Sequence, residues 1–202
     1  MIWIRLKMSS FIVFTYQHTC KTGHDAYILQ NAPFKAVKKK SPNGGPIKIP
    51  FLGEGYYFWE ENIDAAIRWG KKHYDNKYSI VEYIDVNILD DELLNLTNRR
   101  NIQYFKELQA IYIQKRPACE KWRLGTWIEF FKKLRDQNEV NFPFKYIRAD
   151  EHLPEKEELG YNKEKTFFAD GLPYYTFLSP LLMLCVLDKK ELKFKEKRIH
   201  KE

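Results

Sequence analysis

Two short stretches carry residue types able to take part in chemistry. In Tyr16-Gln17-His18-Thr19-Cys20 a histidine stands among hydrogen-bonding side chains at what reads as the end of a strand. In Gly53-Glu54-Gly55-Tyr56-Tyr57-Phe58 two glycines permit a tight turn or a close backbone approach to a ligand, and a block of aromatics follows. A flat aromatic wall suits a planar ring, offset stacking adding about 0.5–1.5 kcal/mol beyond burial. Between the two stretches, Lys38, Lys39 and Lys40 are point charges suited to a phosphate, although a run of this kind is ordinarily a solvated loop. A lone histidine at a strand end is ordinarily a structural hydrogen-bonding residue, and Tyr56 and Tyr57 must point to opposite sides of any strand they share.

Other chemistries find no support. The sequence has no phosphate-binding Walker loop, no glycine fingerprint for dinucleotides after a strand, and no HExxH helix. Cys20, Cys119 and Cys185 are far apart and odd in number, which argues against a disulfide framework or a zinc site. His24, His73, His152 and His200 have no ligand spacing, so no metal is expected.

The elements that must position these residues follow from pattern. Phe11–Tyr16 reads as a strand, and Ala26–Asn31 as a short helix entered through a Thr22/Asp25 capping box. Phe34–Phe51, without periodicity and rich in Pro, Gly and Lys, reads as a long loop of the kind that is often functional. Gly55–Trp59 is a strand. Ile63, Ala66, Ile67, Gly70 and Tyr74 mark an amphipathic helix over Glu61–Tyr74, and Ser79–Val86 alternates as a strand. Two helices follow, one marked by Ile102, Phe105 and Tyr112. The other is marked by Trp127, Phe130, Phe131 and Leu134, with Thr126 and Glu129 spaced as a capping box. Phe144–Arg148 and Leu181–Leu187 are strands, Asp150–Lys165 is a polar loop or arm, and Phe167–Pro180 is a further loop. The order of elements is mixed α+β without βαβ alternation, so the expected fold class is α+β and not a doubly wound parallel sheet. All 202 residues are expected to form a single domain, with 189–202 a solvated basic tail.

The order His18-Thr19-Cys20, short helix, Gly53-Glu54-Gly55-Tyr56-Tyr57-Phe58, then a helix with Ala65-Ala66 and Trp69 resembles the ADP-ribosyltransferase fold of the diphtheria-toxin and poly(ADP-ribose) polymerase type. Leu94-Asn95-Leu96-Thr97 and Cys185-Val186-Leu187-Asp188 resemble segments of its bacterial relatives. The resemblance implies a split, curved, mixed or antiparallel sheet with an NAD-type cleft between the first strand and the Gly53–Trp69 unit and a helical insertion over about 98–140. It also implies NAD as substrate and gives each position a role. His18 would hydrogen-bond the adenosine-side ribose, and the backbone of Thr19, where the family has Gly, would grip the nicotinamide carboxamide. Cys20 would stand for the family's Ser/Thr, Gly55 would let the strand approach the ligand, Tyr57 would stack on nicotinamide, and Trp69 lies one residue from the second stacking aromatic. His18 and Tyr57 would be the catalytic pair. The family's chain-building members carry Glu where Met183 stands here, which implies transfer of single units or lost activity; Asp150 or Glu151 would be a substitute carboxylate. Arg148 would reach a phosphate or pair with Asp150 or Glu151.

Composition sets the surroundings. Thirty-four Lys and Arg against 27 Asp and Glu give +7, but seven of the cations lie between Lys189 and Lys201, in a tail that holds three glutamates to its end, so charge alone argues weakly for nucleic acid. The apolar runs are too short for a membrane span and the N-terminus lacks the apolar core of a secretory signal, so a cytoplasmic location with no membrane partner is expected. The leading expectation is an NAD-dependent mono-ADP-ribosyltransferase, a toxin or defence effector, acting on a protein or nucleic-acid acceptor and held in check by an antitoxin or regulator. A catalytically silent NAD or ADP-ribose-binding module, or a basic nucleic-acid-binding protein whose aromatics stack on bases, stand as alternatives.

Overall fold

A computed structural model describes residues 14–40, 44–151, 165–167, 175–177 and 181–201. Seven strands form one sheet in the order β4-β5-β8-β2-β1-β3-β9. They are β1 (Thr15–Lys21), β2 (Tyr56–Glu60), β3 (Tyr78–Ile84), β4 (Leu93–Asn95), β5 (Tyr146–Asp150), β8 (Leu182–Val186) and β9 (Glu196–Ile199). Neighbours run antiparallel except β4 and β5, which are parallel, so the sheet is mixed. The ladder is continuous across all seven strands where the sequence reading expects a split. A separate hairpin pairs β6 (Lys165–Phe167) with β7 (Tyr175–Phe177). The rest of the expected Asp150–Lys165 and Phe167–Pro180 loops lies largely outside the described residues, as does Phe11–Val13.

Both sides of the sheet are covered, which is why β1 is buried at five consecutive positions instead of alternating. One side carries His18 with Tyr16, Cys20, Phe58, Val81, Tyr83, Leu184 and Val186, closed by Ile28 and Ala32 near α1 (Asp25–Asn31) and by Leu192. The other side carries Tyr57 and Trp59 with Ile80, Met183 and Cys185, packed against three further helices. These are α2 (Ile63–Tyr74), α3 (Arg99–Lys115) and α4 (Leu124–Asp136).

Helix α2 starts at Asn62, whose side chain accepts from the Ala65 N–H at 2.9 Å. Its inner face is Ala65, Ala66 and Gly70, small residues that let it lie close on the sheet, Ala66 over Thr19 of β1 and Gly70 over Tyr78 of β3. Helices α3 and α4 contribute Phe105, Trp127, Ile128, Phe131 and Leu134 to the same core as the strands, so the segment expected as an insertion helps build the Tyr57 side. Two capping expectations are corrected. Helix α1 begins behind His24 and α4 behind Arg123, each without a side-chain cap bond, so neither Thr22 nor Thr126 caps a helix. Glu129 is used instead by the Gly53–Gly55 turn.

The expected solvated tail is also corrected. Lys189–Glu191 is a single 3-10 turn, and Glu196–Ile199 pairs with β3 as an edge strand. Apolar residues spaced among the charges explain this. Leu192 is buried, Phe194 meets Tyr83 edge-on at 5.0 Å, and Arg198 pairs with Glu82 at 2.7 Å.

Candidate functional site

Strands β1, β2 and β8 stand side by side at the centre of the sheet, which brings the three motif segments together. The side chains divide by the alternation of the strands. His18 and Cys20 share one face with Phe58; Tyr57 points to the opposite face with Trp59 and Cys185. His18 and Tyr57 therefore meet only through the Tyr57 backbone.

That backbone contact defines the histidine. The Phe34 N–H donates to His18 Nε2 at 3.0 Å, and the Tyr57 carbonyl lies 2.8 Å from Nδ1. An amide can only donate and a carbonyl only accept, so the ring proton is on Nδ1 and the imidazole is neutral. Burial pushes its pKa down to about 4, against the upward pull of the Tyr57 carbonyl, with nearby Lys189 lowering it further. Both nitrogens are thus satisfied by the fold. A ligand hydroxyl that binds Nε2 must take the place of the Phe34 N–H.

The neighbours are tied down in the same way. Thr19 Oγ1 donates to the Ala66 carbonyl at 2.9 Å, fastening β1 to α2. Cys20 is buried, directs its thiol to the Ser79 carbonyl, and has its pKa raised by burial to about 11, so it is no nucleophile at neutral pH. The Tyr57 hydroxyl accepts from the Leu52 N–H at 2.7 Å and donates to the Gly53 carbonyl at 2.6 Å, closing the turn that leads into β2; burial pushes its pKa far up. Trp69 is partly exposed on α2, against Trp59 at 6.1 Å and His73 at 3.9 Å between centroids. Met183 is buried between Trp59 and Ala149 in the ladder.

Both glycines of the turn answer to protein neighbours. Gly53 has φ +82°, a left-handed conformation natural to glycine. A Cβ on Gly55 would stand 2.4 Å from Cys185 Sγ, so its small size lets β2 pack against β8. Helix α4 braces the turn: Glu129 accepts from the Glu54 N–H at 2.8 Å, and Lys132 bridges Glu129 and the Glu54 carbonyl at 2.6 and 3.1 Å.

One group escaped the sequence reading. Arg148 pairs with Glu60, Nε to Oε2 2.8 Å, and not with Asp150 or Glu151 as expected. Tyr16 is beside them, its pKa pushed up to about 12 by burial first and by Glu60 second. Burial also raises the Glu60 pKa, against the opposing pull of Arg148. The signal was available: Glu60 falls two residues after buried Phe58 on one strand, so alternation puts a carboxylate on an inward face that needs a cation.

Among the described residues, no group of three or more His, Cys, Asp or Glu is placed to hold a metal ion, and no helix is long and apolar enough to cross a membrane. No family model, curated protein or solved structure matches the chain.

Proposed function

We propose that the chain is an NAD-dependent mono-ADP-ribosyltransferase that moves ADP-ribose from NAD to a macromolecular acceptor. The observation that supports this reading is the placing of β1, β2 and β8, which carry the His18, Gly55–Tyr57 and Cys185 segments, as adjacent central strands. In the reaction the nicotinamide–ribose C–N bond breaks with its electron pair leaving on nicotinamide, through an oxocarbenium-like state. An acceptor nucleophile then bonds to the ribose carbon and gives up its proton. His18 would hold the ribose once its Nε2 exchanges the Phe34 N–H for a hydroxyl, and Tyr57, whose ring faces the other side of the sheet, would act through its backbone carbonyl on the His18 ring and through the turn it closes. With Met183 in place of a carboxylate, transfer stops at one unit.

A second reading, a silent NAD-binding module, is favoured by Met183 and by the complete engagement of both His18 nitrogens. Purified protein incubated with adenine-labelled NAD and cell lysate separates the two. Label on macromolecules together with released nicotinamide, both lost in a folded His18→Gln variant, supports the transferase. Saturable NAD binding without nicotinamide release supports the module. Absence of NAD binding ends both.

A further inference from the structure

Between Tyr27 and Gly53 the sequence holds five lysines, Lys35, Lys38, Lys39, Lys40 and Lys48, and no aspartate or glutamate. The fold concentrates this charge. Lys39 and Lys48 stand directly opposite each other in an isolated antiparallel bridge, with N–H to carbonyl distances of 2.9 Å both ways. Like charges directly opposite on a ladder repel, so this rung costs stability that an anion would restore. Among the described residues, the side chains of Lys38, Lys39, Lys40 and Lys48 have no ion-pair partner.

The same segment carries flat rings, with Lys35 and Lys189 as their lysine neighbours. Tyr27 is 56% and Phe34 36% exposed, with planes within 24° and centroids 6.4 Å apart. Lys35 follows Phe34 in the chain, and Lys189 reaches the Asn31 carbonyl at 2.6 Å, at the end of the helix that carries Tyr27. Two near-parallel exposed rings bordered by lysines offer stacking faces and phosphate contacts together. A bilayer has no use for parallel ring planes, and a duplex keeps its bases stacked inside.

We propose that this surface binds single-stranded nucleic acid, the lysines meeting phosphates and Tyr27 and Phe34 stacking on unpaired bases. The proposal stands independently of the NAD reading. If both hold, the strand is brought next to His18, because the Phe34 N–H rests on that ring.

The test is fluorescence anisotropy of labelled oligo(dT) and oligo(rU) with the full chain, from about 50 to about 200 mM salt. Affinity should fall with salt at a slope of about 0.7 per phosphate contacted. The double variant Lys39→Ser, Lys48→Ser should lower that slope by about 1.4, two contacts' worth. Tyr27→Ala should weaken binding by about 5- to 140-fold and leave the slope unchanged, the effect of one lost stack. Both changes fall on exposed side chains, and thermal unfolding checks that each variant stays folded. No binding at about 50 mM salt, or affinities that neither variant alters, overturns the proposal. So does binding to phosphatidylserine vesicles with none to the oligonucleotides.

Discussion

The two faces of the central sheet hold buried polar groups in different ways. On the Tyr57 face the groups around β2 complete a turn or fasten a helix: Tyr57 closes the Leu52–Gly53 turn, Thr19 ties down α2, and Glu129 reaches across from α4 to the same turn, while Glu82 on β3 pairs with Arg198 of the edge strand. On the His18 face they are groups whose charge the burial opposes, the neutral imidazole and the Glu60–Arg148 pair beside Tyr16. The Tyr57 turn and the α2 start should therefore depend little on pH, and the His18 ring with the Glu60–Arg148 pair should carry the acid and charge sensitivity of the sheet's centre.

The largest effect is expected at Arg148. Removing it by Arg148→Ala leaves the Glu60 carboxylate buried without its cation, a loss of about 3–5 kcal/mol. Because the folded Glu60 pKa is raised, and rises further without Arg148, the deficit is full at neutral pH and shrinks as acid protonates the carboxyl. Urea unfolding of both proteins across pH reads this directly. A pH-independent deficit would assign the loss to packing and weaken the contrast between the faces.

His18 gives the next effect. Its pKa is about 4 in the fold against 6.5 for the free side chain, so its stabilisation is whole above about pH 6.5 and is lost as pH falls towards 4. The span of 2.5 pH units corresponds to about 3 kcal/mol. His18→Gln, which cannot titrate, should flatten this part of the stability curve. A wild-type curve already flat between these pH values would show that the ring does not titrate as its burial demands.

On the other face, Tyr57→Phe keeps the ring but leaves the Leu52 N–H and Gly53 carbonyl without their partner, worth about 1–3 kcal/mol at every pH below tyrosine ionisation. Smallest is Asn62→Ala, which removes the α2 cap and should lower stability by about 1 kcal/mol. Thermal unfolding at two pH values should give equal losses for each of these variants. Losses that change with pH would mean the two faces are coupled.

Sequence periodicity located the elements well where apolar spacing was strong. The helix over Glu61–Tyr74 begins two residues later at Ile63, and Leu181–Leu187 becomes β8 at Leu182–Val186. Patterns resting on local chemistry alone failed, because tertiary partners outbid them: Glu129 serves the Glu54 amide instead of a capping box. The basic tail read as solvent-facing because its charges outnumber Leu192, Phe194 and Ile199, yet those few apolar groups suffice to hold it against β3 and Tyr83. At the candidate site, order along the chain marks the segments that become the adjacent strands β1, β2 and β8, but not the side of the sheet each residue faces. Strand alternation opposes His18 to Tyr57, and that was readable only once the register between β1 and β2 was known.

The last strand has a further consequence. Glu196, Lys197 and Arg198 make β9 an edge that is charged at three of its four positions, while the opposite edge, β4, is only three residues long. Beneath β9 lies Tyr78–Ile84, aromatic and β-branched with a single charge, the kind of segment that recruits further strands when bared. β9 thus serves as the sheet's guard against self-assembly. Shortening the chain at residue 188 would remove it, so aggregation would set in while β1, β2 and β8 are all still present.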